Sequence, residues 1–413
     1  MKKKKKINTR NIKILACVLL VGFVLVFGIQ FWLSSTGSAS DQSQSGSGST
    51  EEPDQSTTVH TELTEDQKKD RKVQELLKDM TLDQKIGQLF LARVPESGAV
   101  ADIQSWGLGG YLIFGRDVDG ETTESFQAKT ASWQSASAVP MLVASDEEGG
   151  DVTRVSYGDG MVDTPFPSPQ ELYAENGLTA VEDDATTKAQ ILKNLGINVN
   201  LAPVADVAED PDSFMYSRTM GQDASGEADF VKTVITATEG TGVGSCLKHF
   251  PGYGENGDSH TDIVHDDRDL DHFETIDFIP FKAGIEAGAD AVLICHNIVS
   301  AFDETQPASL SPSVHQVLRN ELGFTGVIIT DDFDMAGLAD YTDQKTGAVD
   351  TIKAGSDMII SSSYADQIPA VRAAVQDGTI TEDEIDAAAG KVLRWKINLG
   401  LISYDDVQDM TNS

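Results

Sequence analysis

Residues 248–260 read Lys-His-Phe-Pro-Gly-Tyr-Gly-Glu-Asn-Gly-Asp-Ser-His, placing a cation, two histidines and two carboxylates among three glycines and a proline. A small, largely apolar run at 243–247 leads into them, so the polar cluster is expected where a short strand ends. Gly252, Gly254 and Gly257 disfavour a helix and let the backbone loop tightly. A histidine titrates near neutral pH, and a carboxylate two residues away orients it and raises its pKa. Asp258 and His260 therefore read as a proton-transfer pair on a loop. The plainer alternatives are a solvated turn or a metal site. A metal wants a compact set of His, Cys or carboxylate ligands, and Lys248 among them argues against one. No metal and no cofactor is expected.

A second acidic cluster, Thr330-Asp331-Asp332-Phe333-Asp334-Met335, closes the apolar run 326–330. A carboxylate directly after a buried strand projects beyond it. Adjacent acids repel, so Asp331 is expected to face a pocket while its neighbour takes a backbone or cationic partner. Helix capping is the alternative role for Asp332 or Asp334. A carboxylate nucleophile with a separate proton donor is the plan of glycoside hydrolysis with retention. Here the donor would be His260 with Asp258. Other run ends suit hydroxyl recognition: Asp146 in Ser-Asp-Glu-Glu-Gly-Gly (145–150), Lys248 and His249 as donors, and Asp206, for which a structural cap is the alternative. Arg218 sits in a long loop after the fourth run, where a surface salt bridge is its other reading.

Eight short apolar runs, often entered through glycine and ended by a polar residue, recur at 88–93, 110–116, 141–146, 198–206, 246–249, 291–296, 327–331 and 358–361. Continuous apolar runs suit parallel strands buried on both faces. Helical spacing fills the gaps at 180–195, 230–241, 278–287 and 312–322. Eight such units predict an α/β fold, a single (β/α)8 TIM-like barrel; a doubly wound open sheet is the alternative. The barrel is favoured because its strand ends converge on one mouth. Before it, Val73, Leu76, Leu77 and Met80 mark a helical face, and Thr81 to Gln84 form a capped helix start. After it, 370–375, 382–389 and 392–399 are expected as closing helices, with no second domain.

Residues 14–33 form an apolar run long enough to span a bilayer, preceded by seven cations and no acid. The expectation is a signal anchor over residues 1–33, with everything beyond it outside the cytoplasmic membrane. Cleavage after the small residues Ser38-Ala39-Ser40 would instead release the protein. Residues 34–61, rich in Ser, Gly and Thr, read as a flexible linker, and 62–413 as the folded domain. The chain carries a formal charge of −35 although its first 33 residues are cationic. Such a body repels nucleic acid and anionic surfaces. Of three cysteines, Cys246 and Cys295 lie in strand-like segments, with a bridge between them left open.

Taken in order, Lys-His-Phe-Pro-Gly-x-Gly with Asp-Ser-His, Asp-x-Glu-Gly-Gly, Asn-x-Ala-Pro-Val-x-Asp, Pro-Ala-Ser-Leu-Ser (307–311) and Thr-Asp-Asp-x-x-Met resemble family 3 glycoside hydrolases. The match is nearest their β-N-acetylhexosaminidase branch and runs from about residue 80 to 365. The resemblance implies Asp331 as nucleophile and Asp258 with His260 as a loop-borne acid/base dyad. Asp146, Arg218, Lys248, His249 and His296 match sugar-pocket positions. It further implies a retaining, exo-acting β-N-acetylglucosaminidase whose substrate is a glycan ending in N-acetylglucosamine, such as a peptidoglycan fragment. A β-glucosidase or β-xylosidase, or a non-catalytic wall-glycan binder, is the alternative. The branch rests on the dyad lying within the barrel, where β-glucosidases draw their acid from a second domain. Two positions depart from the pattern: Tyr253 replaces a histidine, and Asp151 stands where an arginine often follows Glu-Gly-Gly.

Overall fold

The computed structural model describes residues 59–258, 263–407 and 410–412. The expected membrane segment and nearly all of the expected linker lie outside these residues. Eight parallel strands close into a barrel: β1 (Phe90–Arg93), β2 (Gly110–Ile113), β3 (Leu142–Ser145), β4 (Val199–Asn200), β5 (Gly244–Phe250), β6 (Ala291–Ile294), β7 (Val327–Asp332) and β8 (Met358–Ser361). Each pairs with its sequence neighbour, and β8 closes on β1. Every expected run holds a strand. The fourth is the shortest: beyond Asn200, Pro203 has no N–H to give a ladder, and Leu201 makes one more bond to Ser145 O at 2.8 Å.

Both strand faces are buried, which is why the runs read as continuously apolar. Leu91, Leu112, Leu142, Val199, Cys246 and Ile329 fill the interior, and Val392 and Trp395 join them from helix Glu382–Asn398. The outward residues, such as Phe90 and Ala92, pack into the helical layer. At roughly 1.5–3 kcal/mol for each large apolar side chain buried, these two layers supply the main drive to fold. Trp395 closes the N-terminal end of the barrel: a Cβ on Gly244 would stand 2.8 Å from its indole nitrogen.

Two expectations are corrected. The last residues of the expected linker form a strand, Val59–Thr61, antiparallel to Met410–Asn412. The closing helices at 382–389 and 392–399 are one helix, Glu382–Asn398. Gly390 costs about 1 kcal/mol there; a Cβ added to it would stand 3.5 Å from Val73 and Leu77 of helix Glu65–Asp79, in ordinary van der Waals contact. The bridge left open between Cys246 and Cys295 is absent: both are free and buried. Cys246 faces Ala291 across the β5–β6 ladder, four residues from Cys295, beyond the reach of a disulfide.

Lys396 sits in the same closing helix, wholly buried, with Gln88 Oε1 accepting from its Nζ. Among the described residues it has no carboxylate partner, and burial pushes its ammonium down to about 7. The folded pKa lies below the unfolded value of about 10.4. The penalty is therefore full below pH 7 and fades as pH rises toward 10.4. Its ceiling is roughly 5 kcal/mol, and leaving Gln88 unpaired returns about 1–3 kcal/mol of that. Lys396→Met is expected to raise the urea midpoint at pH 6 and to lose that gain by pH 9.5. Equal shifts at both pH values would show that Lys396 keeps its ordinary pKa and is as charged when folded as when unfolded.

Candidate active site

Side chains two residues apart on a strand share a face, so the barrel interior continues directly into the mouth. Leu91 leads to Arg93, Ala144 to Asp146, Cys246 to Lys248 and Ile329 to Asp331. All four of these polar side chains line one cavity of about 510 Å³ at the C-terminal end of the barrel, the end where such barrels place their sites. Glu148, Arg154, Arg218, His249 and Asp258 line it too.

An ion network forms one wall. Lys248 Nζ donates to Asp146 Oδ1 at 2.7 Å and lies 2.6 Å from Glu148 Oε1. Arg218 grips Glu148 bidentately, Nε to Oε2 at 2.8 Å and Nη2 to Oε1 at 2.7 Å. Burial alone would push both acids up, but Lys248 with Arg154 outweighs it at Asp146, and Arg218 with Lys248 at Glu148, so both stay below the usual carboxylate range. The same partners hold Lys248 above its ordinary value despite burial. The wall is thus a fixed alternation of charged acceptors and donors, the pattern that orients hydroxyl groups.

His249 is set by a buried carboxylate. Asp206 Oδ2 accepts the His249 backbone N–H at 3.1 Å and lies 2.7 Å from Nδ1. Arg218 Nη2 stands 3.2 Å from Nε2, and a guanidinium only donates. Nε2 therefore accepts, and the ring hydrogen on Nδ1 goes to Asp206. Asp206 also takes the Tyr253 N–H at 2.6 Å. It is fully buried and is a structural cap, the second of its two sequence readings. Tyr253 is buried as well, edge-on to His249 with centroids 5.6 Å apart.

The Glu-Glu-Gly-Gly turn returns the chain to the mouth. Glu147 points away from the cavity and accepts from Ser145 Oγ at 2.9 Å and from the N–H groups of Arg154 (2.9 Å) and Val155 (2.8 Å). Burial pushes its carboxyl up to about 7. Gly149 has φ +105°, and a Cβ there would stand 2.1 Å from Pro167 O, so only glycine makes the turn. Arg154 thereby comes within 3.4 Å of Asp146 Oδ2. Asp151 lines the rim, with Ser217 Oγ 3.4 Å from its Oδ2.

Asp331, next to last in β7, has its Oδ1 accepting the Asp332 N–H at 2.8 Å. The neighbouring acid takes a cation, as expected: Arg93 Nε donates to Asp332 Oδ2 at 2.6 Å and lies 3.3 Å from Asp334. Burial lifts Asp332 to about 6 against the pull of Arg93. His296 does not line the cavity. It shares the outward face with Ile294, its Nδ1 2.7 Å from Ser309 Oγ and its Nε2 3.2 Å from Asp332 O. These two contacts place it beside the end of β7. Asp258 reaches the cavity, and His260 lies outside the described residues.

The sequence reading missed Arg93 and Arg154. Arg93 had a signal, since it ends the first run in phase with Leu91. Arg154 had none, because its place depends on the turn held by Glu147. Both guanidinium groups lie over the Phe114 ring, 4.8 and 5.6 Å from its centroid.

Comparison with known proteins agrees with this geometry. Residues 81–395 match the glycosyl hydrolase family 3 N-terminal domain. A β-hexosaminidase of Xanthomonas campestris pv. campestris is 29% identical over 73% of this chain and 86% of its own length. β-Hexosaminidase A of Pseudoalteromonas piscicida is 30% identical over 62% of the chain, which spans 46% of that protein. Among solved structures, a family 3 β-N-acetylglucosaminidase from a Paenibacillus species superposes with a TM-score of 0.73 at 30% identity, over 81% of this chain and 65% of that one. A β-N-acetylhexosaminidase from Beutenbergia cavernae gives 0.69 at 30% identity, covering 76% and 98%. The chain belongs to glycosyl hydrolase family 3.

Proposed function

We propose that the chain is a retaining, exo-acting glycoside hydrolase that releases terminal β-linked N-acetylglucosamine. The observation that carries this reading is Asp331, an acid at the end of a barrel strand, in one cavity with Asp258 and the Asp146–Lys248–Glu148–Arg218 wall. Asp331 attacks the anomeric carbon and displaces the aglycone oxygen, which takes a proton from His260, oriented by Asp258. Water, activated by the same dyad, then hydrolyses the glycosyl ester and regenerates Asp331. The wall residues and His249 hold the sugar hydroxyls. The names of the relatives in Xanthomonas, Paenibacillus and Beutenbergia support N-acetylglucosamine as the sugar.

The natural source follows from the N-terminal sequence. Cations before the apolar run 14–33 orient it as a signal anchor. The domain then works close to the outer face of the cytoplasmic membrane, where muropeptides are the available hexosamine glycans. Among the described residues no helix is long and apolar enough to cross a membrane, so the anchor is a proposal about residues 1–33. Protease added to intact wall-stripped cells is expected to remove the domain, and protection would refute the placement.

Incubating the soluble domain with aryl N-acetyl-β-glucosaminide, β-glucoside and β-xyloside tests the reaction. Turnover is expected to be fastest on the first. A better glucoside or xyloside rate would move the enzyme to another branch, and no turnover on any would make it a glycan binder.

A further inference from the structure

We infer that Arg268, which does not line the cavity, is a positioning residue for proton transfer: its guanidinium ties together both roots of the loop that carries Asp258 and His260. The inference rests on the reading of those two residues as the proton donor.

One side chain spans three segments. Arg268 Nη2 donates to Gly252 O at 2.7 Å, at the start of the loop. Its Nε and Nη2 donate to Asp266, at 2.9 and 2.6 Å, at the end of the loop. Its Nη1 takes both oxygens of Asp277, at 3.1 and 3.0 Å, on the supporting helical wall. Phe273 lies beneath the guanidinium, 4.6 Å from centroid to Cζ. The loop also crosses the clamp directly. A Cβ on Gly254, where φ is +57°, would stand 2.2 Å from Arg268 Nη1, so only glycine passes. Asn256 adds a second tie, donating from Nδ2 to Asp266 Oδ2 and to Tyr253 O, each at 2.8 Å. Asp266 is itself held in a short parallel ribbon, His265–Asp266 beside Ile298–Val299.

Asp266 and Asp277 are both fully buried and share this one arginine. A buried pair of this kind is weak evidence for stability as such. What distinguishes it is where its acceptors lie, at the two ends of the dyad loop. Proton transfer demands placement to within about 1 Å, and a misplacement of that size costs on the order of 100-fold.

The test uses Arg268→Lys, which keeps the charge but loses the planar fork, and Asn256→Ala, which leaves every arginine contact intact. Both are compared with His260→Ala on aryl N-acetyl-β-glucosaminides with leaving groups from dinitrophenol to methoxyphenol, after urea unfolding confirms that each is folded. The expected result is a loss below about threefold with dinitrophenol and of about 30- to 100-fold with methoxyphenol. The dependence on leaving-group basicity should run parallel to that of His260→Ala. Arg268→Lys and Asn256→Ala losses that are equal across leaving groups, or absent, would overturn the positioning role while His260→Ala keeps its slope. A flat His260→Ala series would overturn the donor reading itself, and the inference with it.

Discussion

Asp331→Asn is expected to lower kcat on every N-acetyl-β-glucosaminide by on the order of 10⁴- to 10⁶-fold, the scale seen when a nucleophile is removed. The substitution is nearly isosteric, and its carbonyl oxygen still accepts the Asp332 N–H now held at 2.8 Å. The strand end should therefore keep its shape, and the urea midpoint should move little. Because every aglycone must be displaced by the same new bond to Asp331, the loss should be large for dinitrophenol and methoxyphenol alike. That insensitivity separates it from His260→Ala. In the wild-type protein, a substrate quenched during slow turnover should leave the peptide containing Asp331 heavier by one glycosyl residue, as a covalent intermediate requires. An Asp331→Asn variant with more than about 1% of wild-type kcat would remove Asp331 from the nucleophile's place.

Much of this site was legible because strand parity carries information. The interior residues Leu91, Cys246 and Ile329 are two positions before Arg93, Lys248 and Asp331. A reader who finds the buried runs therefore finds the mouth by counting. The same rule puts His296 in phase with Ile294, beside Ser309 and the Asp332 carbonyl. His249 breaks the rule. The β5–β6 ladder shifts register between Leu247 and Phe250, and His249 lines the cavity beside Lys248. Irregular backbone defeated the reading elsewhere. Arg154 returns to the mouth through a glycine turn held by a buried Glu147, and no local pattern announces that. The clamp on the dyad loop was equally hidden, since Gly252, Asp266 and Asp277 meet Arg268 only in three dimensions.

Lys248→Met should be the most damaging substitution to the wall. Lys248 sits between Asp146 and Glu148, at 2.7 and 2.6 Å, and is 2% exposed. Methionine fills similar volume but leaves Asp146 with only the 3.4 Å contact to Arg154, while Glu148 keeps Arg218. Taking the nearer cation from a largely buried carboxylate in this way costs at most about 3–5 kcal/mol, to be read from urea unfolding at pH 7. The pH dependence gives the sign. In the wild type, cations hold Asp146 and Glu148 below the usual carboxylate range against burial. Their stabilisation is complete above the unfolded pKa of about 4 and is lost as pH falls through the folded values. In the variant, burial acts on Asp146 with less opposition, so its carboxyl takes up a proton at higher pH and the penalty is relieved there. The stability gap between the two proteins should thus be widest near pH 7 and shrink below about pH 4. Adding Asp146→Asn to Lys248→Met should recover part of the lost stability, because no unpaired carboxylate remains, yet restore no activity. A double variant that regained turnover would mean that the pair serves the fold alone. A single variant as stable as wild type at pH 7 would mean that water already compensates these charges.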